Sequence, residues 1–240
     1  MRYNITQGLN ILFITATIFL AGSYNCVSQN VQDSSLYVIK NTEAYQQTIK
    51  TNSNKRMINI EKLIPNIDLD LRYATENNFM HRIMYPEKPT FTFLRLPAAQ
   101  ALLQVQNELN RQGFGLKIFD AYRPYSVTEK FWELVHDDRY VADPKKGSGH
   151  NRGIAVDLTI IDLKTKKEIK MPTGFDNFTD SAHHDFINLS TEILINRKLL
   201  KETMKKHGFV EFATEWWHYS LPNPEKYEVL NLSFAELEKQ

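Results

Sequence analysis

The chain has 240 residues, a formal net charge of +1 and 42% hydrophobic residues. That length fits one large domain or two small ones, and that apolar fraction is enough to bury a core. Near-neutral charge with no basic field excludes a nucleic-acid-binding surface, and the lysine-rich run at 164–170 is broken by Thr165, Glu168 and Ile169 into a solvated hairpin.

In chain order, Arg2 precedes an apolar run at 11–22 that is short for a permanent span and suited to the core of a signal peptide. Residues 1–28 are therefore expected to direct export to the periplasm, with cleavage after Ser28. Alternatively Cys26, the only cysteine, is lipidated, although Tyr24 and Asn25 are poor residues before a lipid-modified cysteine. The membrane enters only through this segment or that lipid. The mature domain can form no internal disulfide. Residues 29–56 are polar and read as a tether, and the domain proper is expected over 57–240.

Alternating Ile67, Leu69 and Leu71 suggest an extended segment over 63–73. Pro97, then Leu102, Val105 and Leu109 at helical spacing with Gly113 beyond, predict a helix over 97–111. Leu116 and Ile118 lead a strand into Asp120, and Ser126 with Glu129 forms a capping-box pattern for a helix through Val135. A loop at 143–149, a strand at 154–161 returning by a hairpin through Ile169, a helix at 191–207 ending at Gly208, and strands at 209–212 and 217–221 complete the chain. Hairpins and helices both separate the strands, so the expected class is α+β, a small, mainly antiparallel central sheet flanked by helices.

The chemistry concentrates in two distant segments, Ser148-Gly-His150-Asn-Arg-Gly-Ile-Ala-Val-Asp157 and Glu215-Trp-Trp-His218. Catalytic zinc takes three His or carboxylate ligands and keeps one position open, so His150, Asp157 and His218 fill the count. Glu215 is left over as a base for hydrolysis. Among seven histidines, two near acidic residues also arise by chance. Positions 150 and 157 would face opposite sides of one unbroken strand; Gly153 can bend the entry so that Ala155 and Asp157 share a face and His150 sits on a turn above. Trp216 and Trp217 alternate faces, one for the core and one for a wall of the site.

These segments resemble the Ser-x-His-x-x-Gly-x-Ala-x-Asp and Glu-x-x-His signatures of the D-alanyl-D-alanine dipeptidase family, zinc peptidases that share a fold with D,D-carboxypeptidases and the Hedgehog signalling domain. The resemblance implies that His150, Asp157 and His218 bind one zinc ion and that Glu215 is the general base. Asp120-Ala-Tyr-Arg123-Pro resembles the family's Asp-Gly-Tyr-Arg-Pro stretch, which gives Arg123 the oxyanion; a guanidinium, always charged, suits that task. Met171-Pro-Thr-Gly-Phe-Asp176 resembles a Met-Gly-x-x-Phe-Asp loop whose aspartate receives the substrate ammonium, with Pro172 standing where glycine is usual. Ser148 and Tyr73, the latter in a Tyr-Ala-Thr segment, are implied substrate contacts. The implied substrate is D-alanyl-D-alanine, with peptidoglycan fragments as further partners. A D,D-carboxypeptidase or endopeptidase of the same fold would lack Asp176, and a non-catalytic zinc or wall-binding module would not need Glu215. His183 and His184 read as structural or as supports behind the ligands; His81, His136 and His207 carry no functional expectation.

Overall fold

The computed structural model describes Met1, residues 36–137 and residues 140–240. The expected signal segment and Cys26 lie outside the described residues. The described residues from 36 onward form one compact unit.

The unit opens with β1 (Val38–Ile39) and α1 (Thr42–Thr51). Next come β2 (Met57–Asn59), α2 (Ile60–Leu63) and β3 (Asp68–Leu69), followed by β4 (Phe93–Arg95) and α3 (Leu96–Asn110). After β5 (Phe114–Asp120) come α4 (Tyr125–Val135), β6 (Ala155–Asp162) and α5 (Thr191–Lys206). The chain ends with β7 (Val210–Phe212), β8 (Glu215–Ser220), β9 (Val229–Leu230) and α6 (Phe234–Glu238). The central sheet runs β3-β5-β6-β8-β7, antiparallel except for the parallel β3-β5 pair. This is the expected α+β class.

Seven of the eight β6 residues are buried, because helices or loops cover both faces of this central strand. On one side α3 lays down Ala98, Leu102, Val105 and Leu109, all sealed from solvent. Each leucine buried in this way contributes roughly 1.5–3 kcal/mol of hydrophobic stabilisation. Gln106 on the same stripe accepts the Leu116 amide at 2.8 Å and donates to the Pro65 carbonyl, satisfying backbone groups that neither a strand nor a helix pairs. A second core gathers Tyr45, Tyr73, Tyr85, Tyr122, Phe131 and Phe234. Ala74 and Phe175 pack against both cores, so the seam between them is where a cleft can form.

Three expectations need correction. The described part of the 29–56 stretch is not a tether. Val38 and Ile39 pair in parallel with Val229 and Leu230, and Asn41 caps α1 by accepting the Ala44 amide at 2.9 Å. Tyr45 is fully buried, and its hydroxyl oxygen accepts the Met57 amide at 2.6 Å. The helix is polar because one narrow stripe suffices to seat it. The 63–73 stretch is extended only at β3: Pro65 and Asn66, at φ 61°, stop α2, and residues 72–74 form a 3₁₀ turn. Finally, α4 starts at Tyr125 with no side-chain cap of its own; the Ser126 amide donates to Asn231 from a distant loop, at 2.9 Å. A tertiary acceptor has replaced the local capping box.

Candidate active site

Strand β6 carries Asp157 and its neighbour β8 carries His218 directly opposite, as register partners. His150 comes from the turn that precedes β6. Gly153 makes this turn possible: its φ is +69°, and a Cβ there would meet the Met57 sulfur at 2.7 Å. The bend lifts His150 above the strand, as the spacing required.

The three side chains converge. His218 Nδ1 lies 2.8 Å from Asp157 Oδ1, His150 Nε2 lies 3.4 Å from Asp157 Oδ2, and the two ring nitrogens are 3.3 Å apart. His150 Nδ1 lies 2.7 Å from the Ala121 carbonyl, which can only accept, so Nδ1 carries the hydrogen and Nε2 presents its lone pair to the cluster. Burial opposes ionisation of Asp157, yet the two imidazoles outweigh it and hold the carboxyl well below its usual range.

Glu215 opens β8 and lines the same cavity, 4.0 Å from His218 Nδ1. Burial pushes its carboxyl up to about 7, and the like charges of Asp157 and Asp176 add to the rise while His218 opposes it. A carboxylate poised there is placed for proton transfer at neutral pH. Arg123, just past the end of β5, is buried in the cavity wall over the rings of Tyr73 and Phe131, 5.0 and 4.9 Å from their centroids. Asp120 Oδ2 fixes it through Nε at 3.0 Å and Nη2 at 2.7 Å.

Asp176 faces the cavity from the loop that follows β6. Its Oδ1 accepts the Tyr73 hydroxyl at 3.0 Å, while Oδ2 is sealed from solvent without a hydrogen-bond partner. The residue sits at φ 59°, so the left-handed turn of this loop falls on Asp176 itself and not on Pro172. Burial first, then the Asp157 charge, pushes its carboxyl up to about 7. The Trp216 indole donates to Thr173 Oγ1 at 2.9 Å, tying β8 to this loop. Trp217 walls the cavity, as the alternation of the pair suggested.

A raised carboxyl has a defined effect on stability. Between about 4 and about 7 the folded protein keeps a proton on Asp176 that the unfolded chain releases, so this group lowers stability as pH rises across that window. Asp176→Asn is expected to raise the melting temperature at pH 8 relative to the parent and to change it little at pH 4. An unchanged or lowered melting temperature at pH 8 would contradict the buried, unpaired carboxylate.

A family model described as D-ala-D-ala dipeptidase (peptidase M15) matches residues 53–239. The chain belongs to the D-alanyl-D-alanine dipeptidase family. The D-alanyl-D-alanine dipeptidase of Escherichia coli K12 is 31% identical over 179 residues, 75% of this chain and 91% of that protein. The dipeptidases of Streptomyces coelicolor and Enterococcus faecalis V583 are 31% and 28% identical, each over 70% of this chain and 94% of theirs. Among solved structures, the LD-carboxypeptidase LdcB overlaps 71% of this chain and 69% of its own at a TM-score of 0.39 and 16% identity.

Members of this family are zinc metallopeptidases, and the donor set fits. Tetrahedral ligands at about 2.0–2.2 Å from zinc stand roughly 3.3–3.6 Å apart. Two of the three separations here, 3.3 and 3.4 Å, fall in that range; the third, 2.8 Å, is a hydrogen bond whose proton must leave before metal enters. Among the described residues, His150, Asp157 and His218 are the one group with donor atoms in mutual reach, all within 4.8 Å.

Every residue singled out in the sequence as a catalytic, metal or substrate group lines this cavity, Ser148 and Tyr73 included. Ser148 Oγ accepts the Asn151 amide at 3.1 Å, so the hydroxyl also shapes the turn. Three supports were not foreseen. Asn151, fully buried, accepts the Ser148 amide and donates to the Arg123 carbonyl at 2.8 Å and to Thr128 Oγ1 at 2.9 Å, joining the metal turn to Arg123. Its place inside the histidine signature was the available signal. Tyr85 and Phe178, whose ring meets that of Phe79 in the cavity wall, come from stretches without a motif. His183 and His184 do not line the cavity: the His183 carbonyl accepts from Arg197, and burial pulls the His184 imidazole down to about 4. His207 pairs with Glu108 at 2.8 Å.

Proposed function

We propose that the protein is a zinc-dependent dipeptidase that hydrolyses D-alanyl-D-alanine, with one zinc per chain on His150, Asp157 and His218. The observation that carries this reading is Asp176 Oδ2, a buried carboxylate oxygen lacking a partner in the same cavity as the metal cluster and Glu215. A free ammonium would pair with it; a peptide carrying a blocked or extended amino end would leave it desolvated and alone.

Zinc, when bound, supplies the Lewis acid that polarises water and the scissile carbonyl. Glu215 takes the proton from the attacking water and delivers it to the leaving amine. Arg123 offers the N–H groups not engaged by Asp120 to the negative charge that grows on the carbonyl oxygen. Asp176 and Tyr73 hold the amino end and set the register. The enzyme is expected to be exported, on the strength of Arg2 and the apolar run at 11–22, and therefore to serve recycling or scavenging of wall-derived dipeptide.

Side-by-side turnover of D-alanyl-D-alanine, its N-acetyl derivative, the L,L-dipeptide and a muramyl pentapeptide tests the assignment. The free D,D-dipeptide should be cleaved fastest. Its kcat/KM should climb with pH as Asp176, whose carboxyl burial raises to about 7, ionises to meet the substrate ammonium. Trimming of the pentapeptide with no action on the dipeptide would replace this reading with a carboxypeptidase.

A further inference from the structure

Arg123 is anchored by Asp120, but a carboxylate on a single arginine is free to rotate about its own bond. In this protein something stops it. Asp120 is completely buried, and its four acceptor positions are divided. Oδ2 takes both contacts from Arg123, while Oδ1 accepts the Ala121 amide at 2.9 Å and the Tyr85 hydroxyl at 2.5 Å. The Tyr85 contact is at the short end expected of a hydroxyl donating to an ionised carboxylate. Tyr85 is itself 1% exposed, its ring set edge-on against Tyr73 and tilted against Phe234, and its amide donates to the Tyr73 carbonyl at 2.9 Å. Its hydroxyl has no comparable alternative acceptor among these contacts.

We propose that Tyr85 is a positioning residue for the reaction, acting on Arg123 through Asp120. This rests on the reading of Arg123 as the group that meets the developing oxyanion. The Tyr85 hydroxyl sets the plane of the Asp120 carboxylate, and that plane fixes the guanidinium fork. Asp120 Oδ2 stands 3.6 Å from His150 Nδ1, whose hydrogen is held by the Ala121 carbonyl at 2.7 Å. The hydroxyl therefore acts on the arginine, while the imidazole is seated independently of Asp120. Burial, and next to it the Asp120 charge, raise the Tyr85 hydroxyl well above its ordinary range, so it stays a donor throughout neutral pH.

Tyr85→Phe in the zinc-loaded full chain removes this donor and keeps the ring. The expected result is a fall of about tenfold in kcat for D-alanyl-D-alanine, with KM within about twofold and zinc content unchanged. In an Arg123→Lys background, which cannot use the two-point grip, the same substitution should change kcat by less than about twofold. A tenfold loss that persists in that background would show an effect independent of Arg123 and overturn the proposal. So would an unchanged kcat in the single variant, or a fall in kcat accompanied by loss of zinc, which would make Tyr85 merely structural. An Arg123→Lys enzyme as fast as the parent would instead refute the role given to Arg123, and this inference with it.

Discussion

Glu215→Gln is expected to lower kcat for D-alanyl-D-alanine by about 10³-fold while zinc content stays at the parent level. General acid–base catalysis typically contributes about 10²–10⁴-fold, and in the proposed mechanism one carboxylate serves both the attacking water and the leaving amine. The amide keeps the size and polarity of the side chain and removes only its capacity to accept and return a proton. The geometry separates this role from ligation: Glu215 approaches His218 Nδ1 only to 4.0 Å, while His150, Asp157 and His218 form the converging set without it. Its carboxyl, lifted to about 7 by burial, would titrate lower beside a bound dication, which extends the active pH range on the acid side. Zinc analysis beside steady-state kinetics decides the matter. Loss of metal together with activity would assign Glu215 to the ligand set, and a kcat within tenfold of the parent would remove it from proton transfer.

Asp157→Ala is expected to abolish both zinc retention and turnover. Asp157 lies against both imidazoles, and it supplies the only negative charge among the three candidate ligands. Without it, two imidazoles 3.3 Å apart in a buried site would meet a dication with no anionic ligand. Binding to the folded state alone raises thermal stability in proportion to RT ln(1 + [L]/Kd), so the parent should melt higher with added zinc and the variant should not. A variant that still gains stability from stoichiometric zinc would show that the histidines alone hold the metal.

The convergence of the candidate residues was legible because each member lies within a short spaced pattern, and the spacing itself called for the bend that Gly153 provides. The helices over 97–111 and 191–207 were legible for a similar reason: the first opens on Pro97 with Leu102, Val105 and Leu109 at helical spacing, and each is followed by a glycine, Gly113 and Gly208. What escaped was whatever depends on residues far apart in the chain. The Ser126 amide is capped by Asn231, more than a hundred positions away, so a local pattern at Ser126 and Glu129 pointed to a cap that is not formed. Residues 36–56 carry too little apolar surface to read as structured, yet Tyr45 is seated by the Met57 amide and by Arg95, whose guanidinium stands 6.0 Å from its ring. Tyr85 gave no signal at all, because its partner Asp120 is 35 residues downstream.

The pairing of β1 with β9 limits how the N terminus can be processed. A leader removed after Ser28 leaves the strand whole. A cut within residues 40–56 would strip away the Ile39 carbonyl that receives the Asn231 amide at 2.8 Å, and Asn231 is the residue whose side chain caps α4. It would also expose Met57, which packs into the space that Gly153 leaves beneath His150. Maturation and proteolytic wear at this end therefore have a floor: below it, trimming reaches the scaffold of the active site.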